Sequence, residues 1–265
     1  MKLIAGILII SIVVFGGLRL FSRKLLYFPV PLDRTRKEQL ARPALPVKEF
    51  SHSVAGNITL RGWIIEKDMK NLPTLFYFGG NAEEVSLNIE DYLARVEANV
   101  VLVNYRGYGQ SQGKPGEDEL KADALALFDR VAGDYSLSPD RCGAWGRSLG
   151  SSIASYLVWK RGLKHLILTC PFDSIEAVAA GFYPAWLVGL VLTDRHRTTD
   201  FSGEIRAASL ILAAADDEII PAERTQALYE SLAGSKRMVT IRGAGHNTIS
   251  EARGYYEAVN EFLKK

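Results

Sequence analysis

Three groups of residues in this 265-residue chain are of the types, and in the settings, that chemistry uses. Ser148 lies in Gly146-Arg147-Ser148-Leu149-Gly150, a G-x-S-x-G pattern, after the strand-like stretch Arg141–Trp145 and before the helix-compatible run Ser151–Arg161. In a strand–turn–helix of this kind the serine sits on a sharp elbow that holds its Oγ clear of the sheet. Glycines at 146 and 150 leave room for so tight a turn. The amide of Leu149 faces the mouth of the following helix, where a developing oxyanion is stabilised. A serine hydroxyl becomes a strong nucleophile only when a base takes its proton and a carboxylate orients that base.

In sheets with this elbow the chain order is serine, acid, histidine. Only two later loops fit. One is Ala215-Asp216-Asp217-Glu218, after the apolar strand Ser209–Ala214; the other is Gly243-Ala244-Gly245-His246-Asn247, after Arg237–Ile241. Both follow strand C-termini, the edge where open α/β sheets bind ligands. His246 is the candidate base. Asp217 and Asp216 compete for the acid, with Glu218 behind them. His52, His165 and His196 precede the acid in chain order and read as an early-strand, a strand-opening and a charged-loop residue.

The elements that must hold these groups alternate. Strands are expected over Val47–Val54 and Ile58–Glu66, a hairpin turning at Gly56-Asn57, and then over Thr74–Phe78, Asn99–Asn104 and Leu163–Thr169. Helices are expected over Val85–Glu97, Glu119–Ala132, Ile175–Ala180, Ala222–Leu232 and Glu251–Leu263. Strand–helix alternation predicts an α/β fold with a mostly parallel, doubly wound sheet. A chain of this length can bury a core as a single catalytic domain, here 47–265.

The composition excludes several functions. A net charge of +2 without a basic stripe gives no case for nucleic acid. The four histidines and two cysteines show no metal-ligand spacing, so no metal is expected. Cys142 and Cys170 read as buried free thiols. Glycines at 107, 109 and 113 follow a strand but miss the dinucleotide spacing by one residue, so no cofactor is expected.

The N-terminus differs from the rest. Leu3–Leu18 carries no charge, Lys2 precedes it, and Arg19, Arg23 and Lys24 follow. With Leu20 and Phe21 the run just reaches the length a bilayer demands, and residues 1–24 are expected to form a transmembrane anchor. The basic flank leans towards a cytoplasmic catalytic domain. Pro-punctuated residues 25–46 read as a surface linker.

Taken together, these motifs give the chain a strong resemblance to the α/β-hydrolases of the Bem46-like serine hydrolase group, which includes membrane-anchored ABHD-type proteins. The resemblance runs from about Tyr27 to the C-terminus. It rests on Tyr27-Phe28-Pro29, Gly62-Trp63, Gly79-Gly80-Asn81-Ala82, Asn104 to Ser111, Gly113-Lys114-Pro115, the elbow, Asp217 to Pro221, and Gly243 to Asn247. It implies an α/β-hydrolase fold with Ser148 as nucleophile and His246 as base, and it selects Asp217 over Asp216 as the acid. It also implies Asn81 as the second oxyanion amide beside Leu149, and Arg106 as a structural tie between turns. The group usually has His-Gly-Asn-Ala-Gly where this chain has Gly79-Gly80-Asn81-Ala82-Glu83, and glycine where it has Ala214.

An insertion at about 171–205 is expected to form a small helical cap. Its apolar run places Phe182, Trp186, Leu187 and Leu190 either along an acyl pocket or against the bilayer. The expected activity is hydrolysis of esters or thioesters with an apolar acyl group, the partners being a lipid-like substrate and the membrane. A peptidase or amidase on the same residues and a non-catalytic membrane scaffold are the alternatives. The sequence leaves oligomeric state open.

Overall fold

A computed structural model describes residues 2–41 and 46–264, with side chains described from residue 14 onward. Eight strands form one sheet in the order β1-β2-β4-β3-β5-β6-β7-β8. They are β1 (Val47–Val54), β2 (Ile58–Ile65), β3 (Thr74–Phe78), β4 (Asn99–Val103), β5 (Cys142–Arg147), β6 (His165–Thr169), β7 (Ala208–Ala214) and β8 (Lys236–Ile241). β2 pairs antiparallel with both β1 and β4, and the strands from β4 through β8 run parallel.

The inner parallel strands β3, β4 and β6 are covered on both faces, which is why they read as unbroken apolar runs. Alternate residues feed two core layers. Phe76, Val101, Ala144, Leu166 and Ile211 face α4 (Glu117–Tyr135) and α5 (Gly150–Arg161). Leu75, Tyr77, Val100, Leu102, Trp145, Ile167 and Leu210 face α3 (Ile89–Arg95) and α9 (Tyr255–Leu263). β4 lies on one side of β3 and β5 on the other, so the chain reverses its winding at β3. The loops after β3 and β5 therefore open side by side, at the position where such sheets take ligands. The remaining helices are α1 (Lys2–Leu26), α2 (Arg34–Leu40), α6 (Ile175–Ala180), α7 (Ala185–Val191) and α8 (Ala222–Ser231).

The structure departs from the sequence reading in four places. The helix expected over Val85–Glu97 begins as a 3-10 turn, Val85–Asn88, because the Glu84 carboxylate takes the Ser86 amide. The last helix starts at Tyr255 rather than Glu251, since Gly254 is left-handed (φ 91°) and its N–H bonds Glu257. The supposed linker contains α2, capped by Asp33 and pinned by the buried Arg36, whose guanidinium donates to both Glu90 carboxylate oxygens at 2.6 and 2.8 Å. Residues 42–45 of that stretch lie outside the described residues.

The anchor is the fourth. The chain from Lys2 to Leu26 is one helix, yet among the described residues no helix is long and apolar enough to cross a membrane. The side chains of 1–13, most of the expected span, lie outside the described set.

Candidate active site

The elbow forms as the glycines dictate. A Cβ at Gly146 would overlap the Gly150 carbonyl, and one at Gly150 would overlap that of Phe78. Ser148 itself is left-handed (φ 50°), a conformation that costs roughly 1–2 kcal/mol outside glycine. Neighbours hold it there. Its N–H donates to Thr169 O at 2.9 Å, and its carbonyl accepts from Ser151 N at 2.9 Å and Ser151 Oγ at 2.6 Å.

His246 follows β8 and is 4% exposed. Its Nδ1 lies 3.0 Å from both Asp217 oxygens. A carboxylate can only accept, so Nδ1 carries a proton towards Asp217. Asp217 also accepts from Ile219 N at 3.0 Å and Ile220 N at 2.8 Å. Burial alone would raise its pKa, but these hydrogen bonds and the imidazole hold it below the usual carboxylate range. Asp216 is exposed, and the Glu218 carboxylate instead accepts the His246 amide at 2.9 Å. The structure thus brings Asp217, not Asp216 or Glu218, to the imidazole. No hydrogen bond joins Ser148 Oγ to His246 among the described residues.

The two expected oxyanion donors stand at the ends of β3 and β5. Neither the Asn81 nor the Leu149 amide has a hydrogen-bond acceptor among the described residues. The Asn81 side chain is fully engaged instead: Nδ2 donates to Leu26 O at 2.6 Å, while Oδ1 accepts from Phe28 N at 3.0 Å and Tyr108 OH at 2.8 Å. Behind it, Tyr105 OH donates to Gly79 O at 2.8 Å.

Sequence reasoning missed the residue pair that ties these loops together. Glu83 replaces a glycine of the usual motif, and its Oε2 accepts from Gly80 N at 2.7 Å and from Arg147 Nη1 at 2.9 Å. Arg147 Nη2 reaches on to His246 O at 3.1 Å and Asn247 Oδ1 at 3.0 Å. Burial disfavours the guanidinium charge, but Glu83 outweighs it and raises the Arg147 pKa. One arginine therefore joins the loops after β3, β5 and β8. The signal was present as Arg147 in the elbow and the odd Glu83, but nothing local pairs residues 64 positions apart. Arg106, expected to tie turns, has its main partner in the helix α4 instead, donating to both Asp123 oxygens at 2.6 Å, with a longer contact of 3.4 Å to the hairpin carbonyl of Ala55.

Cys142 and Cys170 are both buried and free. Cys170, Asp217 and His246 offer ligand atoms within 4.8 Å of one another, a group from which a metal site could be built. Burial, with the Asp217 charge beside it, pushes the Cys170 thiol up to about 12.

A second serine–histidine–aspartate group lies one helical turn past the elbow. His196, read from sequence as a charged-loop residue, is fully buried. Its Nδ1 lies 2.7 Å from Ser152 Oγ and its Nε2 2.9 Å from Tyr27 OH. Tyr27 in turn donates to Asp194 Oδ2 at 2.8 Å, and Asp194 also accepts from Glu117 N at 2.8 Å and Arg23 Nε at 3.1 Å. Burial drives the His196 pKa down to about 4, so the ring is neutral.

Of the four cap residues singled out, Leu187 lines an apolar cavity. Phe182, Trp186 and Leu190 are exposed, at 65%, 65% and 42%. Trp186 meets Phe15 of α1 edge to face, with ring centroids 6.0 Å apart.

The sheet, its elbow and the loops above it define an α/β-hydrolase architecture. An esterase from Pyrococcus furiosus superposes with a TM-score of 0.68 at 20% identity, over 90% of this chain and 95% of that one. No family model matches the chain. An uncharacterised protein of Mycobacterium tuberculosis (strain ATCC 25618 / H37Rv) is 30% identical over 248 residues, 91% of this chain and 87% of that protein. Protein bem46 of Schizosaccharomyces pombe (strain 972 / ATCC 24843) is 25% identical over 97% of this chain and 90% of its own length. Further relatives carry the name alpha/beta hydrolase domain-containing protein. The chain belongs to the α/β-hydrolase superfamily, among its Bem46-like members.

Proposed function

We propose that this protein is a serine hydrolase that cleaves carboxylic esters or thioesters through an acyl-enzyme. His246 Nε2 takes the Ser148 hydroxyl proton as Oγ attacks the substrate carbonyl carbon. The amides of Asn81 and Leu149 hold the resulting oxyanion. Collapse breaks the bond to the alkoxide or thiolate, which leaves with the proton from His246. Water, deprotonated by the same imidazole, then releases the acid. Asp217 keeps the imidazole in the required tautomer throughout.

The observation that carries this reading is the His246–Asp217 pair, held beside the elbow by the residue next to Ser148. The missing Ser148–His246 hydrogen bond is compatible with it, because such bonds commonly tighten only when substrate is present. The test is labelling by a fluorophosphonate probe together with turnover of p-nitrophenyl esters and matched anilides. Labelling at Ser148 with ester preference supports the reading. Anilide preference would make the protein an amidase, and neither labelling nor turnover would leave a scaffold.

We further infer that the N-terminal segment attaches the protein to a membrane. Support comes from the uncharged run Leu3–Leu18 ahead of Arg19, Arg23 and Lys24. It comes also from the exposed Leu20 and Phe21 of α1, with Phe182 and Trp186 on the cap beside it. Deleting residues 1–24 should move the protein from the membrane pellet to the supernatant; an unchanged distribution would end this inference.

A further inference from the structure

The loop after β3, which carries the Asn81 amide, is held from two sides. On one, Glu83 takes the Gly80 amide. On the other lies the end of α1. Leu26 is the last residue of that helix, and its carbonyl, like the others of a final helical turn, has no donor within the helix. Asn81 Nδ2 supplies one at 2.6 Å. Two residues further along, the Phe28 amide donates to Asn81 Oδ1 at 3.0 Å. One side-chain amide thus pairs with both a C=O and an N–H of the same segment. Tyr108 OH donates to the same oxygen at 2.8 Å, and the segment holds that loop too, because Val30 O accepts the Gly109 amide at 2.8 Å.

The oxyanion loop needs the support. Ala82, next to Asn81, is left-handed (φ 58°), a costly conformation for alanine. An amide beside such a residue keeps its aim only while the backbone around it is fixed. The segment that fixes it is itself pinned. Tyr27, between Leu26 and Phe28, is 3% exposed and donates to Asp194 at 2.8 Å. Arg23, one turn earlier, pairs with the same buried carboxylate at 3.1 Å, and Ser22 Oγ lies 2.6 Å from Thr193 Oγ1. Moving Leu26 and Phe28 off Asn81 would therefore break bonds to a buried charge.

We propose that the end of α1 is a positioning element of the oxyanion hole: Leu26 O, Phe28 N and Tyr108 OH act through the Asn81 side chain to aim the Asn81 backbone amide, so that the seating of the N-terminal helix on Asp194 sets the rate of the chemical step. This rests on the hydrolase reading for what the amide does, but not for what holds the loop.

Two measurements on the full chain test it. In the first, kcat and KM are determined with p-nitrophenyl acetate. Asn81→Ala keeps the backbone amide and should still lose about 10²-fold in kcat, close to the loss of an oxyanion donor, with KM within about threefold. The pH profile of kcat should not move, because the imidazole is untouched. Tyr27→Phe and Tyr108→Phe each remove one hydrogen bond of the set and should cost about fivefold. In the Asn81→Ala background Tyr27→Phe should cost less than about twofold, since its effect runs through the missing side chain. A Tyr27→Phe loss undiminished in that background, or losses confined to KM, overturns the proposal. In the second, amide hydrogen exchange over residues 79–84 is followed in Ser148→Ala protein, alone and combined with Asn81→Ala or Tyr27→Phe, with β5 and β6 as the control for an intact fold. Exchange in the loop should quicken by about tenfold or more in both combinations. A loop that exchanges as in the parent overturns the proposal even if esters are hydrolysed. Faster exchange with no ester turned over by the unaltered protein upholds the seating of the loop and rejects the hydrolase.

Discussion

The chain contains two clusters of serine, histidine and aspartate four residues apart along the same helix start, and they are built for opposite ends. At position 152 the hydroxyl already has an imidazole nitrogen 2.7 Å away, whereas Ser148 has no hydrogen bond to its histidine. By base proximity alone the wrong serine would be chosen. The inner group, however, is sealed: Ser152 is 1% exposed and His196 not at all. Its aspartate faces Tyr27, an arginine and a backbone amide instead of the ring. The outer group sits where the sheet reverses its winding, has its carboxylate on the imidazole, and faces two amides with nothing to bind. On the proposed reading, what separates the nucleophile from the structural serine is the surrounding vacancy for charge, not the hydroxyl–imidazole distance.

The comparison breaks most decisively at the two serines. Ser148→Ala should cost about 10⁴–10⁶ in ester turnover and abolish probe labelling while the fold is kept. Ser152→Ala should still label. Labelling that survives in the first variant, or is lost in a folded second one, would reverse the roles of the two clusters.

The acids separate the clusters next. Asp217→Asn should lower kcat by about 10⁴ through the wrong imidazole tautomer, whereas Asp216→Asn should stay within about threefold. Equal losses in steady-state assays would remove the case for a specific acid.

The inner histidine should speak through stability rather than rate. Its folded-state pKa, about 4, lies below the ordinary 6.5, so the unfolded chain binds the proton first as pH falls. Stability from this group is whole above about pH 6.5 and declines towards pH 4, by on the order of 3 kcal/mol. In His196→Asn, which tolerates the left-handed backbone at that position (φ 45°), denaturant midpoints should lose roughly half of their slope across that window, because burial holds His165 near 4 as well. A slope equal to wild type would place the acid sensitivity elsewhere.

Glu83→Gln gives a smaller loss than either triad change. It weakens the tie between Gly80 and Arg147, and we expect about a 10–100-fold loss in kcat with little change in KM. A pure KM effect would mean that the pair shapes binding rather than the oxyanion loop.

Much of the outer cluster was legible because its parts are local. The elbow needs glycines two residues on either side of Ser148, and the acid and base loops each follow an apolar strand. The central strands were readable for the same reason, since runs such as Asn99–Val103 are buried on both faces. The inner cluster was not legible. Tyr27, Glu117, Ser152 and the loop bearing Asp194 and His196 come from four separate segments, and a histidine among Arg195 and Arg197 looks solvated until Glu117 is seen to take both the Arg195 and His196 amides. The α2 helix was obscured by the prolines around it, and its anchor, Arg36, depends on Glu90, which is 54 residues away. The cap reading marked an apolar run without saying which side of each helix turns inward. That choice is made where α7 meets α1: Leu187 turns into the seam, while Trp186 stays 65% exposed with one edge against Phe15.

The left-handed backbone at position 148 limits the future of this protein as well as its present. A side chain branched at its first carbon is strongly disfavoured at that dihedral, so threonine or valine there would strain the turn before any reaction was attempted. Cysteine differs from serine by one atom and meets no such barrier. A descendant could exchange oxygen for sulfur without adding strain to the turn, whereas a threonine nucleophile would meet the strain of its branched first carbon.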